Sequence, residues 1–252
     1  MKPFSTAFAT AAYAFLYLPI LVLVVYSFNL DGVGGFPPHH WTLQWYQILF
    51  SDSAMWASVA NSAIVALSAV VLSMLIGFPA AWALNRYEFP GKAAFQRLVL
   101  LPLIVPGVIT GISLLLLTVS TGFRLSLITV ILGHATALTA VATTEILAGM
   151  TKLDRSLEEA SADLGASGVQ TMWRVVLPGL RTSLLGTALL IFTLSMDEIA
   201  VTFFLIGREN TLPLEIWSRL RRGATPEMNA IATLIFLFSV ATIFLSQRLH
   251  DS

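Results

Sequence analysis

Cysteine is absent from the 252 residues and histidine occurs only four times. Disulfides and thiolate metal sites are therefore excluded, and the four histidines offer no spacing that a zinc or iron site would need. Charge is scarce as well. Charged residues make up 11% of the chain against 56% hydrophobic, and the mean hydropathy is +0.81. That is too little charge to coat a soluble core of this size, so the chain reads as a membrane protein. Lys+Arg and Asp+Glu stand at 14 each, so net charge says nothing about nucleic acid, and no nucleic-acid partner is expected.

A phosphate-binding loop is missing too. The nearest approach is Pro90-Gly91-Lys92, with Arg86 where the first glycine belongs and Ala93 in place of Ser/Thr, and it fails on both counts. No small-residue cleavage site follows the first apolar run, so that run reads as a retained span and not as a cleavable signal. Internal repeats and low-complexity tracts are absent, and one transmembrane domain over residues 1–252 is expected.

What is present is a series of apolar runs, each able to cross a hydrocarbon layer of roughly 30 Å. They lie near Phe8–Phe28, Ala60–Leu84, Leu98–Val119, Leu127–Met150, Ser183–Ile206 and Asn229–Ser246. Six transmembrane helices are expected from them. Lys2, Arg86, Lys92, Arg97, Lys152, Arg155, Arg174, Arg181 and Arg248 fall on one side. Fewer basic residues, Arg124, Arg208, Arg219, Arg221 and Arg222, fall on the other. The excess predicts cytoplasmic termini, with Gly207–Met228 as an exceptional basic loop outside. Pro102 and Pro106, with Gly107 and Gly111 following, mark the third span as the most irregular and a candidate to line a path. Between Asp31 and Met55, Gly32, Gly34, Gly35, Pro37 and Pro38 precede Trp41, Trp45 and Tyr46, a pattern that suits an interfacial anchor.

The segment between the fourth and fifth runs, at about residues 151–181, is the only sizeable polar stretch on the cytoplasmic side. Asp154, Glu158, Glu159 and Asp163 alternate there with Leu153, Leu157 and Leu164, giving one anionic and one apolar face. Helices that lie on anionic bilayers are usually cationic, which favours docking onto another protein. Ala160, Ser161 and Ala162 permit close approach, Gly165 permits a turn, and Pro178 is placed to open the next helix.

From Glu159 the chain reads E-A-S-A-D-L-G, nine residues, then V-V-L-P ending at Pro178. This resembles the E-A-A-x3-G-x9-I-x-L-P loop of ABC-importer permeases. Glu159, Ala160, Gly165, Leu177 and Pro178 hold the family positions, while Ser161 and Val175 depart conservatively. L-S-M-D-E ending at Glu198, L-P-L-E-I-W ending at Trp217 and P-E-M-N-A-I-A-T ending at Thr233 extend the likeness to the second permease of spermidine/putrescine-type importers. The resemblance implies an all-α, six-helix type I ABC-importer permease (MetI-like) fold in a bacterial inner membrane, crossing it several times and in contact with its lipid. It also implies a paralogous permease, an ATP-binding cassette ATPase dimer that alone would hold ATP and magnesium, and an extracytoplasmic solute-binding protein. The loop with Glu158, Glu159, Ala160, Ser161, Asp163, Gly165, Leu177 and Pro178 would seat in the ATPase. No catalytic or metal residues and no cofactor bound by this chain are expected. The solute would be small, nitrogenous and cationic, a polyamine above all.

Acids inside apolar runs are the remaining signal, because each costs roughly 2.5–3.5 kcal/mol to insert and needs a cavity or a partner. Glu145 falls in the fourth run and Asp197 with Glu198 in the fifth. A cation-attracting path lining and structural hydrogen bonding are both open readings for the pair. His134 stands eleven residues before Glu145, close to three turns and so on one face. Trp217 is either an interfacial anchor or a cation–π partner for an alkylammonium, worth about 0.5–2 kcal/mol. Arg219, Arg221 and Arg222 would repel a polycation and suit an acidic docking surface. Two other classes remain: a stand-alone ion-coupled carrier or channel titrating Glu145 and Asp197, and a Ser113–His134 hydrolase, whose serine more simply bonds back to its own helix.

Overall fold

A computed structural model describes residues 2–30, 39–223 and 225–250, with side chains described for 6–30, 39–223 and 225–240. Helices dominate. The first are α1 (Lys2–Tyr26), α2 (Gln44–Ser51), α3 (Ser53–Arg86), α4 (Lys92–Ile104), α5 (Gly107–Ser120) and α6 (Leu127–Lys152). Then come α7 (Ser156–Asp163), α8 (Gly168–Thr171), a π-helical turn (Met172–Val176), α9 (Leu177–Gly179), α10 (Arg181–Met196), α11 (Ala200–Leu205), α12 (Leu212–Arg222) and α13 (Pro226–His250). Among the described residues the one β feature is an isolated antiparallel bridge between Asn29 and Trp41.

Three helices, Thr6–Tyr26 within α1, α3 and α6, are each long and apolar enough to cross a membrane, and two bent pairs bring the number to as many as five. The sixth expected span falls on α13, where Pro226–Val240 is a shorter apolar stretch. The bends have physical causes. Between α4 and α5 the chain turns by 105°, because Val105 precedes Pro106 and takes the extended conformation (φ −77°, ψ 126°) that the proline ring forces on its neighbour. Pro102, by contrast, is absorbed inside α4. The expected continuous fifth span is also corrected. Its helix α10 stops at Met196 and resumes as α11 only at Ala200, so Asp197 and Glu198 occupy a break and not a helix interior.

The chain divides into two compact units, residues 57–214 and the remainder formed by Met1–Trp56 with Glu215–Ser252. In the first, one apolar cluster joins Ala81, Ala142, Ile146, Met150, Val176, Leu180 and Ile191, and a second joins Val65, Val130, Val201 and Leu205. Small residues set the spacing of its helices, as is usual where lipid removes the hydrophobic incentive to associate. A β-carbon at Gly133 would lie 2.8 Å from Val201 Cγ1 and closer still to Leu205, so α11 lies directly on α6.

In the second unit, α1 and α2 both lie against α13. Of the aromatics expected to anchor at an interface, Trp41 is exposed, whereas the other two are engaged by the chain. Trp45 donates its indole N–H to Asn29 O (2.8 Å), and Tyr46 Oη is 2.7 Å from Ser27 Oγ. These two aromatics clamp the turn after α1. The residues expected to make that segment irregular, Gly32 to Pro38, lie outside the described residues.

Candidate functional site

Three sets of residues carry the functional reading. The polar loop comes first. Helix α7 ends in a Schellman turn: Gly165 N–H donates to Ala162 O and Ala166 N–H to Ser161 O, which satisfies carbonyls the helix end would leave open. Gly165 has φ 81°, a value that glycine adopts freely and most side chains do not. Helix α8 then opens with a reciprocal cap in which Gln170 N–H donates to Ser167 Oγ (3.3 Å) and Ser167 N–H to Gln170 Oε1 (2.8 Å). The next helix therefore begins at Gly168, ten residues before the expected start at Pro178. Pro178 has another effect. It has no N–H for Arg174 O, and Leu177 N–H reaches five residues back to Met172 O, so the chain takes a π turn just ahead of the 68° bend at Leu180.

None of the side chains of α7 or α8 is buried. Leu164 is 89% exposed and Trp173 69%, with Leu157 and Val169 exposed beside them. Glu159, Ala160, Asp163 and Gly165 face solvent, as does Pro178, while Leu177 is half-buried. Two of the expected contact residues turn inward. Ser161 Oγ lies 2.9 Å from Thr171 Oγ1, closing α7 onto α8. Glu158 pairs with Arg86 at the end of α3, whose guanidinium also covers the Trp82 ring at 5.2 Å. Arg155 donates to Asn85 O (2.7 Å). The loop is thus tied to α3 by its first turn while its tip stands free.

The break in the fifth span is the second set. Glu198 turns its carboxylate back onto the chain and accepts from Val201 N–H (2.9 Å), capping α11 as a carboxylate at a helix start does. Asp197, which caps the C-terminal end of α10, is exposed, and its carboxylate has no hydrogen-bond or ion-pair partner among the described residues. His134, 1% exposed, sits beneath them. Its Nδ1 is 2.8 Å from Ser195 Oγ and its Nε2 2.8 Å from Thr202 Oγ1. Thr202 spends its own proton on Glu198 O (2.9 Å). Nε2–H is therefore the donor to Thr202, and in the neutral ring Nδ1 accepts from Ser195. Both ring nitrogens are engaged and Ser113 is exposed elsewhere on α5, so no Ser113–His134 dyad exists. Glu145 shares its helix face with His134 by angle, yet one is exposed and the other buried.

The third set lies in the other unit. Helix α12 covers what the sequence offered as a loop, and its signal was readable: Glu215 in the first turn and three arginines in the last complement a helix dipole. Arg219 is not available for docking, because it bonds Asp52 and Glu215 Oε1, the latter at 2.7 Å. Its hydrogen bond holds the Asp52 carboxyl below the usual carboxylate range. Arg221 and Arg222 are exposed, as is Trp217. Ser195 and Thr202 were not legible as partners of His134, although two hydroxyls seven residues apart bracket the paired acids.

Comparisons with known proteins agree with this architecture. Residues 70–252 match the family described as binding-protein-dependent transport system inner membrane component. The chain is 35% identical to the spermidine/putrescine transport system permease protein PotC of Haemophilus influenzae, over 96% of this chain and 94% of that one. It is 36% identical to the putrescine transport system permease protein PotI of Escherichia coli K12, over 93% and 86%. Among solved structures, a bacterial ABC transporter involved in import of the acidic polysaccharide alginate superposes with a TM-score of 0.73 at 17% identity, over 99% of this chain and 96% of that one. The MetNI methionine ABC transporter in an inward-facing conformation gives 0.60 at 17%, over 78% and 94%. These two establish the fold.

Proposed function

Because the chain belongs to the family of binding-protein-dependent transport system inner membrane components, we propose that it is one of two permeases in an ATP-driven importer of a polyamine-class cation. The observation that carries this is identity of 35% and 36% along nearly the whole chain with permeases named for spermidine and putrescine. The chain performs no chemistry. ATP and magnesium reside on a separate ATPase dimer, a paralogous permease supplies the other half of the path, and an extracytoplasmic binding protein delivers the solute. Both termini and the 151–181 loop face the cytoplasm.

Each site has a role in alternating access. The exposed tip from Glu159 to Gly165, with Leu164 and Trp173, seats in the ATPase. Closure of the ATPase moves α7, and the Arg86–Glu158 pair and the bent run through Leu177 and Pro178 carry that movement into α3 and α10. In the membrane, Asp197 offers an unpaired negative charge to a passing cation, Glu198 shapes the break that displays it, and Glu145 and Trp217 are further points on the path. Cationic selectivity follows from one unneutralised carboxylate in a low-dielectric setting, where Coulomb attraction falls off less than in water.

The direct test is uptake. The complete importer is reconstituted in liposomes with ATP inside and labelled putrescine, spermidine or an uncharged solute of equal size outside, delivered by its binding protein. Polyamine uptake that needs both ATP and binding protein is expected. Transport by the chain reconstituted alone, or preference for the uncharged solute, would overturn the reading.

A further inference from the structure

His134 is a buried titratable side chain that transport coupling does not use, and it touches the chain on both sides of the break. Ser195 belongs to the last turn of α10 and Thr202 to the first turn of α11. A single imidazole, rooted on α6, therefore joins two helices that the backbone itself fails to connect helically between Met196 and Ala200. The surrounding contacts make this bridge the part that can matter. Helix α11 is fixed to α6 independently by Thr129 Oγ1, which donates to Leu205 O (2.7 Å), and by the close approach at Gly133. The end of α10 has one polar tie to α6 here, Ser195. Asp197 is the residue that ends that helix, so the direction of its carboxylate depends on where Ser195 is held.

We propose that His134 is a positioning residue for transport, bridging Ser195 and Thr202 so that the break stays open and the Asp197 carboxylate is aimed into the cation path. The inference rests on the path role of Asp197 proposed above. It assigns to the histidine neither contact with the solute nor proton transfer. Its role is directional, because the fixed pattern of one N–H and one acceptor nitrogen accepts only one arrangement of the two hydroxyls. Losing either bond leaves a polar group unpaired in an apolar setting, and the helix end is then free to drift toward a continuous helix.

The test exploits the absence of cysteine from this chain. In the assembled importer, His134→Ala is expected to lower polyamine uptake about tenfold; Ser195→Ala, which gives up one hydrogen bond, should lower it about threefold, and Thr202→Val, which gives up its bonds to both His134 and Glu198 O, about tenfold. Complex yield should remain normal. In an Asp197→Asn background His134→Ala should add less than about twofold, since a residue acting through Asp197 is silent once its charge is gone. A lone cysteine at Asp197→Cys should react with a thiol reagent at a rate that His134→Ala changes by at least about threefold. Independent, additive losses, or an unchanged labelling rate, would overturn the proposal. Should His134→Ala fail to assemble, the two hydroxyl variants carry the same comparisons, and failure of those nearly isosteric changes to assemble would also overturn it, in favour of packing alone. Wild-type uptake in Asp197→Asn by itself would remove the underlying path reading, a result distinguishable from additivity.

Discussion

Two polar interruptions divide the apolar chain, and they are treated in opposite ways. At residues 154–180 the chain satisfies its backbone with a Schellman turn and a reciprocal cap, and leaves its apolar side chains, Leu164 and Trp173 foremost, in the open. At residues 195–202 it finds a partner for nearly every polar side chain: Ser195 and Thr202 on His134, Glu198 on the start of α11. Only Asp197 is left over. Exposed apolar surface without a partner marks a place where protein is to bind, whereas one unpaired charge amid satisfied neighbours marks a place where a small ion is to pass. On the function proposed above, the two regions divide the labour of coupling and selection.

The largest effect should come from attacking the loop tip. Gly165→Pro demands φ near −65° where the chain has 81°, and Glu159→Lys reverses an exposed charge. Both should abolish uptake while the permease still inserts, and co-purification of the ATPase reads the loss; undiminished binding and uptake in both would assign coupling elsewhere. A smaller effect is expected at the break. Asp197→Asn keeps shape and hydrogen bonding but removes the charge, so uptake and substrate-stimulated ATP hydrolysis should fall several-fold, on the order of tenfold for about 1.4 kcal/mol, at normal complex yield. Glu198→Gln retains a carbonyl oxygen to accept from Val201 N–H and should be milder. A reversed order would make the cap, not the free charge, the important acid.

The smallest effect belongs to the ion pair outside both regions. Asp52 titrates below its usual value of 3.8 because Arg219 donates to it, so its contribution to the attachment of α12 is fully present above pH 3.8 and is lost as pH falls through the lowered value. Protection against hydrogen exchange across Leu212–Arg222, taken relative to the intrinsic amide rate at each pH, should be flat from neutral pH to about pH 5 and fall only below the unperturbed carboxylate range. Asp52→Asn should give the lower protection at neutral pH, and the difference from the wild type should shrink as Asp52 becomes protonated. A transition at pH 5 or above would mean another group controls α12.

The loop was legible in the sequence because its signals are local: Glu159, Gly165 and Pro178 sit at fixed spacing, and cap and turn chemistry act within a few residues. Most spans were legible for the same reason, since apolar run length decides them. The break at Asp197 was not, because the flanking apolar residues dominate any window wide enough to detect a span. The pairing of Glu158 with Arg86 was not legible because the two are distant in sequence, and helical angle sets His134 beside Glu145 although neighbouring helices, not angle, decide which of the two is buried. Helix α12 was hidden by its charge. Its polar face outweighed its apolar one, even though the order of acid and base along it was that of a helix.

The π turn at Met172–Val176 has a consequence for the lengths that evolution can tolerate here. Its five-residue reach takes up one residue more than an α turn would, and one residue corresponds to about 100° of rotation around a helix. The loop tip and α10 therefore meet in a phase that the residue count between them dictates. Lengthening or shortening this stretch by a single position would turn one end against the other like a mis-set gear, leaving every side chain present and the two halves of the machine facing in different directions.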